Sequence, residues 1–338
     1  MESLSVKWRP KTLDEIVSQG SVVKILKQQL ATKTFKNCYL FAGASGCGKT
    51  TAARAFANAL NEGKGSPIEI DGASNNGVEN VRNIVKSAQE RSIDSVYKIY
   101  IIDECHMIST AGWNAFLKCV EEPPAYTIFI FCTTDPQKIP NTILNRVQRF
   151  NITKIPVKDI ENRLSYICQQ EGYTNYNESV DYIAKISNGG MRDAIANLEK
   201  CASYSTDLSI KNVLDALGGF SYQLFFKMMN AMIDGKEDVV INTLDEVNNT
   251  GNDIKFFVEQ FTAFVLDLAK FVVLRSFDCI RIPYTMEKET RFCTEYDGAA
   301  RYYNYVLDKL LKLKMDLKQD SNPKVTTDIV FLQITRCM

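Results

Sequence analysis

The sequence contains a single histidine, His106, and its ten cysteines include no C-x-x-C pair. Cys38, Cys47, Cys105, Cys119, Cys132, Cys168, Cys201, Cys279, Cys293 and Cys337 are scattered through the chain. That pattern excludes a zinc site and predicts reduced, cytoplasmic thiols. Charge of one sign is equally scarce, since 40 basic residues face 40 acidic ones. No global positive field announces nucleic acid, so any DNA contact has to come from a local patch. Uninterrupted apolar runs are missing as well. The N-terminal MESLSVKWRP has no apolar signal region, and the most hydrophobic segment, FFVEQFTAFVLDLAKFVVL, carries Glu259, Asp267 and Lys270 inside it. Neither secretion nor a membrane span is expected. There is no internal repeat and no low-complexity linker. At 338 residues and 45% hydrophobic content, two to three domains with ample core are expected.

What the chain does have is GASGCGKTTAARAF, residues 43–56, directly after the apolar run CYLF. Gly43, Gly46, Gly48, Lys49 and Thr50 satisfy G-x-x-x-x-G-K-[ST] without a gap. Glycines let the backbone curl so that successive N–H groups face phosphate oxygens. The lysine reaches the β and γ phosphates, and the threonine hydroxyl ligates magnesium. Residues 39–42 read as a buried strand and 51–60 as an Ala-rich helix whose N-terminus favours anions. The phosphate-binding turn therefore comprises Gly43, Ala44, Ser45, Gly46, Cys47, Gly48, Lys49, Thr50 and Thr51. Cys47 has no second histidine to activate it and is read as a small tolerated residue.

The first half alternates short apolar strands (CYLFAG, PIEIDG, KIYIIDE and TIFIFCTT) with polar or helical stretches, the pattern of a parallel sheet flanked by helices. Near residues 154–156 the pattern changes to helices without a convincing strand: VKDIENRLSYICQQEG, ESVDYIAKIS and MRDAIANLEKCASY. A Gly218-Gly219 turn precedes longer amphipathic helices, in which Phe257, Phe261, Phe264 and Leu268 recur at four- and three-residue steps. KIYIIDECHMIS, 98–109, supplies the second half of a nucleotide site. Asp103 is placed to hold magnesium and Glu104 to polarise the attacking water as general base. His106 lacks partners for a metal and is read as a structural or supporting neighbour of Glu104.

Together with the P-loop, DECH resembles the AAA+ clamp loaders. The stretches KWRPKTLDEIV, FLKCVEEPP, CTTDPQKIPNTILNRVQRF, GGMRDAIANLEKCA and NPKVTTDIVFLQITR are similar to the gamma/tau subunits of bacterial DNA polymerase III along nearly the whole chain. The resemblance implies an α/β plus all-α architecture: an AAA+ P-loop parallel-sheet domain over 1–155, a small helical lid over 156–218 and a helical collar over 219–338. It implies an ATPase that opens a sliding clamp on binding ATP and releases it on primer-template DNA when hydrolysis follows. ATP and Mg2+ are its implied cofactors. The clamp, primer-template DNA and other loader subunits in a ring, pentameric in the family, are its implied partners.

The resemblance also assigns positions. Trp8, Arg9, Pro10, Ile16 and Val17 match the segment that packs on adenine, with Met191 touching the base. Thr134 falls at sensor 1, with Thr133 the alternative, and Arg192 at sensor 2. Arg146 takes the place of the finger that enters a neighbour's site, although the family's Ser-Arg-Cys is here Asn145-Arg146-Val147. In the helix within 72–92, Arg82 and Lys86 would meet DNA phosphates without sequence preference, against the simpler reading of a solvated helix face. The four-cysteine zinc module of bacterial relatives is missing from NALNEGKGSPIEIDGAS, so no metal beyond magnesium is implied. Read to Met338, the sequence lacks the long tail of some relatives, and a compact loader of a kind a virus could encode is expected. Rival readings are a branch-migration motor, a non-hydrolysing loader subunit and a small-molecule kinase. The first would want a winged-helix strand pair after Phe220, the second a degenerate P-loop, and the third has no use for Arg146, Arg192 and the helical tail.

Overall fold

The computed structural model describes residues 3–249 and 253–336; Cys337 lies outside them. Five strands, β1 (Cys38–Gly43), β2 (Ile68–Asp71), β3 (Lys98–Asp103), β4 (Thr127–Thr133) and β5 (Gln148–Ile152), form one parallel sheet in the order β2-β3-β4-β1-β5. Strand alternation sorts their side chains onto two faces. Tyr39, Phe41, Ile99, Ile101, Ile128, Ile130 and Cys132 share one buried cluster, while Leu40, Tyr100, Ile102, Phe129 and Phe131 share the other. Both faces are covered, which is why these strands read as continuous apolar runs.

Around the sheet the chain forms α1 (Leu4–Lys7), α2 (Gly20–Thr32), α3 (Lys49–Leu60), α4 (Val78–Ala88), α5 (Thr110–Glu121), α6 (Asn141–Leu144) and α7 (Val157–Glu171). Helix α3 lays Ala52, Ala53 and Phe56 on the first face; α5 lays Trp113 and Phe116 on the second. Each fully buried aromatic contributes roughly 2–3 kcal/mol of burial. The start of α5 is set by Ser109, whose Oγ accepts the Gly112 N–H at 3.1 Å. Strand β5 is absent from the sequence reading. Only Phe150 and Ile152 are buried in it, between exposed Arg149 and Asn151, so an edge strand with one apolar face passes for a loop.

The chain divides into two compact units, Met1–Glu171 with Ile183–Glu199, and Gly172–Tyr182 with Lys200–Met338. Helices α8 (Asn177–Ile186) and α9 (Met191–Tyr204) supply residues to both. The second unit continues with α10 (Ile210–Leu217), α11 (Tyr222–Ile233), α12 (Glu237–Asn249), α13 (Ile254–Leu274), α14 (Glu287–Thr294), α15 (Ala299–Asp316) and α16 (Pro323–Thr335). Helix α10 ends on Gly218 at φ 71°, the left-handed position that a side chain disfavours. The predicted stripe Phe257, Phe261, Phe264 and Leu268 is wholly buried, with Phe225 of α11 set against Phe257, Phe261 and Phe264 at ring separations of 5.8, 5.8 and 5.3 Å.

Asp267, one of the charges that interrupts the apolar run, is 2% exposed. It accepts from the Arg281 backbone N–H at 3.0 Å, Nε at 2.9 Å and Nη2 at 3.2 Å, and the same Nη2 reaches the Ala263 carbonyl at 2.8 Å. The buried carboxylate thus binds the 275–286 connection to α13. Asp267→Ala should destabilise the second unit by about 2 kcal/mol, less than for a fully buried pair because Arg281 can rehydrate. A lower denaturation midpoint and faster amide exchange along α13 are the expected readouts; an unchanged midpoint would show the pair to be inert.

Candidate functional site

The sheet order builds the site. Strand β4 separates β1 from β3, and all three run the same way, so their C-terminal ends present the P-loop, Thr133-Thr134 and Asp103-Glu104 side by side. Ligands of open α/β sheets bind at this end. A cavity of about 530 Å³ opens there. Its walls include Trp8, Arg9, Pro10, Ile16, Val17, Ser45, Gly46, Cys47, Gly48, Lys49, Thr50, Thr51, Asp103, Glu104, Met191 and Arg192. Gly43, Ala44, Thr134, Arg146, Arg82 and Lys86 are not among the lining residues.

The P-loop glycines have different reasons to be glycine. Gly46 and Gly48 take φ values of 73° and 99°, which free the backbone to curl. Gly43 sits where a Cβ would fall on the Ile152 carbonyl of β5, so its requirement is the close passage of two strands. Lys49 is only 6% exposed, and its Nζ donates to the Ala44 carbonyl at 2.9 Å. A buried ammonium held by a carbonyl, with no carboxylate bridged to it among the described residues, is a site for an anion. The Thr50 hydroxyl donates to Asp103 Oδ2 at 2.7 Å, and Asp103 Oδ1 accepts the Glu104 N–H at 3.0 Å. Two hard oxygen ligands therefore converge beside Lys49, a donor set suited to Mg2+.

Glu104 leaves β3 at φ 44°, a left-handed conformation uncommon outside glycine. Its Oε2 accepts the Thr134 hydroxyl at 3.1 Å. Thr133 is fully buried and its Oγ1 accepts the Asp135 N–H at 3.0 Å, so Thr134 is the one that faces the carboxylate. Cys47 is 2% exposed, with Sγ 3.5 Å from the Gly189 carbonyl. Burial pushes its thiol up, which opposes nucleophilic use. Arg192 meets the P-loop through its backbone N–H, 3.4 Å from the Gly46 carbonyl.

The N-terminal segment is tied to α7. Trp8 Nε1 donates to Glu171 at 2.6 Å, Lys7 pairs with the same carboxylate at 2.6 Å, and Arg163 donates to the Trp8 carbonyl at 2.9 Å. The Lys7 hydrogen bond, joined by that of Trp8, holds the Glu171 carboxyl below its ordinary range. Arg54, Glu69, Asp71 and Arg163 also line the cavity, and sequence reasoning missed them. For Arg54 a signal existed: it lies one helical turn beyond Thr50 in α3, where it pairs with Glu69 of β2. Arg163 offered none.

Arg146 follows α6 and is not among this cavity's lining residues. Its Nη2 pairs with Glu121 Oε1 at 2.8 Å, and Nη1 donates to the Thr142 carbonyl at 2.6 Å. Arg82 and Lys86 are exposed on α4, Arg82 pairing with Glu79 at 2.6 Å. The loop entering α4 is bound to the carboxylate strand: the Gly72 N–H donates to the Asp103 carbonyl at 2.7 Å, and the Ser109 N–H to the Asn76 carbonyl at 3.1 Å.

Known proteins place this geometry. The family described as "DNA polymerase III, delta subunit" matches residues 67–156. The tau subunit of DNA polymerase III from Bacillus subtilis is 32% identical over 97% of this chain and 62% of its own length. The Escherichia coli tau subunit is 32% identical over 73% of this chain and 42% of its own length. The chain thus spans between about two fifths and three fifths of these two relatives. Among solved structures, the RuvB Holliday junction branch migration motor of Thermotoga maritima aligns at 20% identity and TM-score 0.53, over 73% of this chain and 86% of that one. That likeness concerns the fold.

Gly43→Ala should cost roughly 3 kcal/mol by forcing β1 from β5. Gly48→Ala, whose Cβ meets open space, should cost about 1–2 kcal/mol through its φ alone. Thermal midpoints of the two nucleotide-free variants check the order; a Gly43→Ala protein as stable as the parent would remove the strand-packing explanation.

Proposed function

Because the chain belongs to the gamma/tau family of DNA polymerase III, within the AAA+ clamp loaders, we propose that it is the ATPase subunit of a sliding-clamp loader acting in the bacterial cytoplasm. The observation that carries the reading is the convergence of Lys49, Thr50, Asp103 and Glu104 on one cavity, with Trp8, Ile16, Val17 and Met191 in the same lining. Binding ATP would open and hold the clamp; hydrolysis, stimulated by primer-template DNA, would release it. The proposed domains are 1–155 for the ATPase, 156–218 for the lid and 219–338 for the collar.

The apolar side chains at Ile16, Val17 and Met191 suit a base, and P-loop N–H groups with Lys49 suit the phosphates. Thr50 and Asp103 would hold Mg2+, which when bound neutralises phosphate charge. Glu104 takes a proton from the attacking water while that oxygen bonds to the γ phosphorus and the bond to the ADP oxygen breaks. Thr134 and Arg192 would serve as sensors. Arg82 and Lys86 would track DNA phosphates; the loop entering that helix has backbone connections to Asp103 through Gly72 and to Ser109 through Asn76. A sliding clamp, partner subunits and a pentameric ring are proposed with this reading, and membership of the family supports them. A branch-migration motor would call for a wing, and among the described residues no named strand follows Ile152.

Glu104→Gln should leave ATP affinity nearly intact and lower turnover by roughly 10²–10⁴-fold, while Lys49→Ala should weaken binding itself. Nucleotide titration beside single-turnover hydrolysis separates the two, and full turnover by the Glu104 variant would remove the base assignment. Arg146 lies outside its own chain's cavity lining, so the finger is proposed to act in a neighbour. Mixing Arg146→Ala with Lys49→Ala chains should restore part of the activity where an intact P-loop meets an intact finger. A rate against mixing ratio no higher than either variant alone, in oligomers verified by sedimentation, would exclude a finger in trans.

A further inference from the structure

Glu104 is held by more than Thr134. Its Oε2 lies 3.3 Å from His106 Nδ1 and accepts the Thr134 hydroxyl at 3.1 Å, while no donor is bonded to Oε1 among the described residues. The same Nδ1 lies 3.2 Å from Thr133 Oγ1, which already accepts the Asp135 N–H at 3.0 Å. His106 belongs to the 3-10 turn Cys105–Met107 that begins directly after Glu104, and its side chain is 12% exposed against 38% for the carboxylate. The ring is packed and the carboxylate reaches the cavity. As N–H, Nδ1 can donate to either neighbouring oxygen, Glu104 Oε2 or Thr133 Oγ1; as a bare nitrogen it can meet only the Thr133 hydroxyl and turns a lone pair toward the carboxylate, so the nearness of Glu104 favours Nδ1–H.

We infer that His106 is the positioning residue for Glu104: Nδ1–H and the Thr134 hydroxyl anchor Oε2 together, so that Oε1 presents its lone pair to the attacking water. The inference rests on the hydrolytic reading of the site and assigns the imidazole no share in proton transfer. Two donors on one oxygen fix the rotation of the carboxylate as well as its location. A misplaced base loses rate without loss of nucleotide affinity, by up to about 10²-fold for a displacement of about 1 Å.

The test uses the full chain in two arms. His106 is the only histidine, so its ring nitrogens give the only imidazole signals in the protein. Long-range proton–nitrogen spectra of the histidine-labelled chain should show the Nδ1–H form, with the Nδ1 resonance moving in Glu104→Ala. An Nε2–H ring, or a spectrum indifferent to Glu104, overturns the pairing. In the second arm, His106→Phe should lower single-turnover hydrolysis roughly ten- to a hundred-fold with affinity for a fluorescent ATP analogue unchanged. His106→Asn, whose amide reaches the Nδ1 position, should recover much of the rate, and His106→Gln, whose amide reaches past it, should not. A Phe variant with parental rate, a parallel fall in affinity, or an Asn variant no better than Phe each overturns the positioning role. Glu104→Gln run alongside tells the failures apart: if it hydrolyses at the parental rate the hydrolytic reading itself falls, and the spectra still decide whether His106 holds Glu104.

Discussion

The hydrogen bond from the Thr50 hydroxyl to Asp103 joins residues 53 apart in sequence, one in the helix that follows β1 and the other at the end of β3, two strands that are not neighbours in the sheet. It exists because β4 sits between β1 and β3 in parallel register, bringing three strand ends to one level. Every other part of the site is measured from it. Lys49 precedes Thr50 in α3, Glu104 follows Asp103 on a left-handed backbone, and Thr134 comes from the strand in between. A slip of one residue in β4 would turn the core-facing phenylalanines to the opposite face, so register is enforced by the packing of Phe129 and Phe131 rather than by the polar groups it serves.

The parts legible in sequence are those whose chemistry is local. The P-loop spacing, the apolar strand ending in two carboxylates and the 4-and-3 phenylalanine stripe each lie within one element, and the structure has all three. Strand β5 was hidden because only its two alternate apolar residues meet the core. Gly43 was assigned to phosphate geometry, whereas the nearness of the Ile152 carbonyl could be seen only after β5 was known. Arg163 lines the cavity because α7 is tied back to Trp8 through Glu171, a pairing of partners 163 positions apart. Long-range side-chain pairs of this kind leave no period and no spacing to read.

Gly72 and Asn76 show how the same backbone can serve two surfaces. Their hydrogen bonds to residues 103 and 109 leave α4 continuous with the carboxylate strand, although the exposed Arg82 and Lys86 belong to a different face of the chemistry. Glycine at 72 is needed there: a Cβ would press on the carbonyls of Asp103 and Glu104 at 2.8 Å. The loop entering α4 and the end of the carboxylate strand are therefore packed backbone against backbone.

Arg146 is already satisfied within its own chain. Glu121 and the Thr142 carbonyl give the guanidinium a charged and a neutral acceptor before any neighbour is present. For such a group, docking into a second anionic site is an exchange of ligands and not the capture of a bare charge. If Arg146 enters a neighbour's site as proposed, the strength of that joint would depend on the difference between two anions, a carboxylate at home and a phosphate next door, and would change with the charge state of the nucleotide. A joint of this design would be tight in one chemical state and loose in the next.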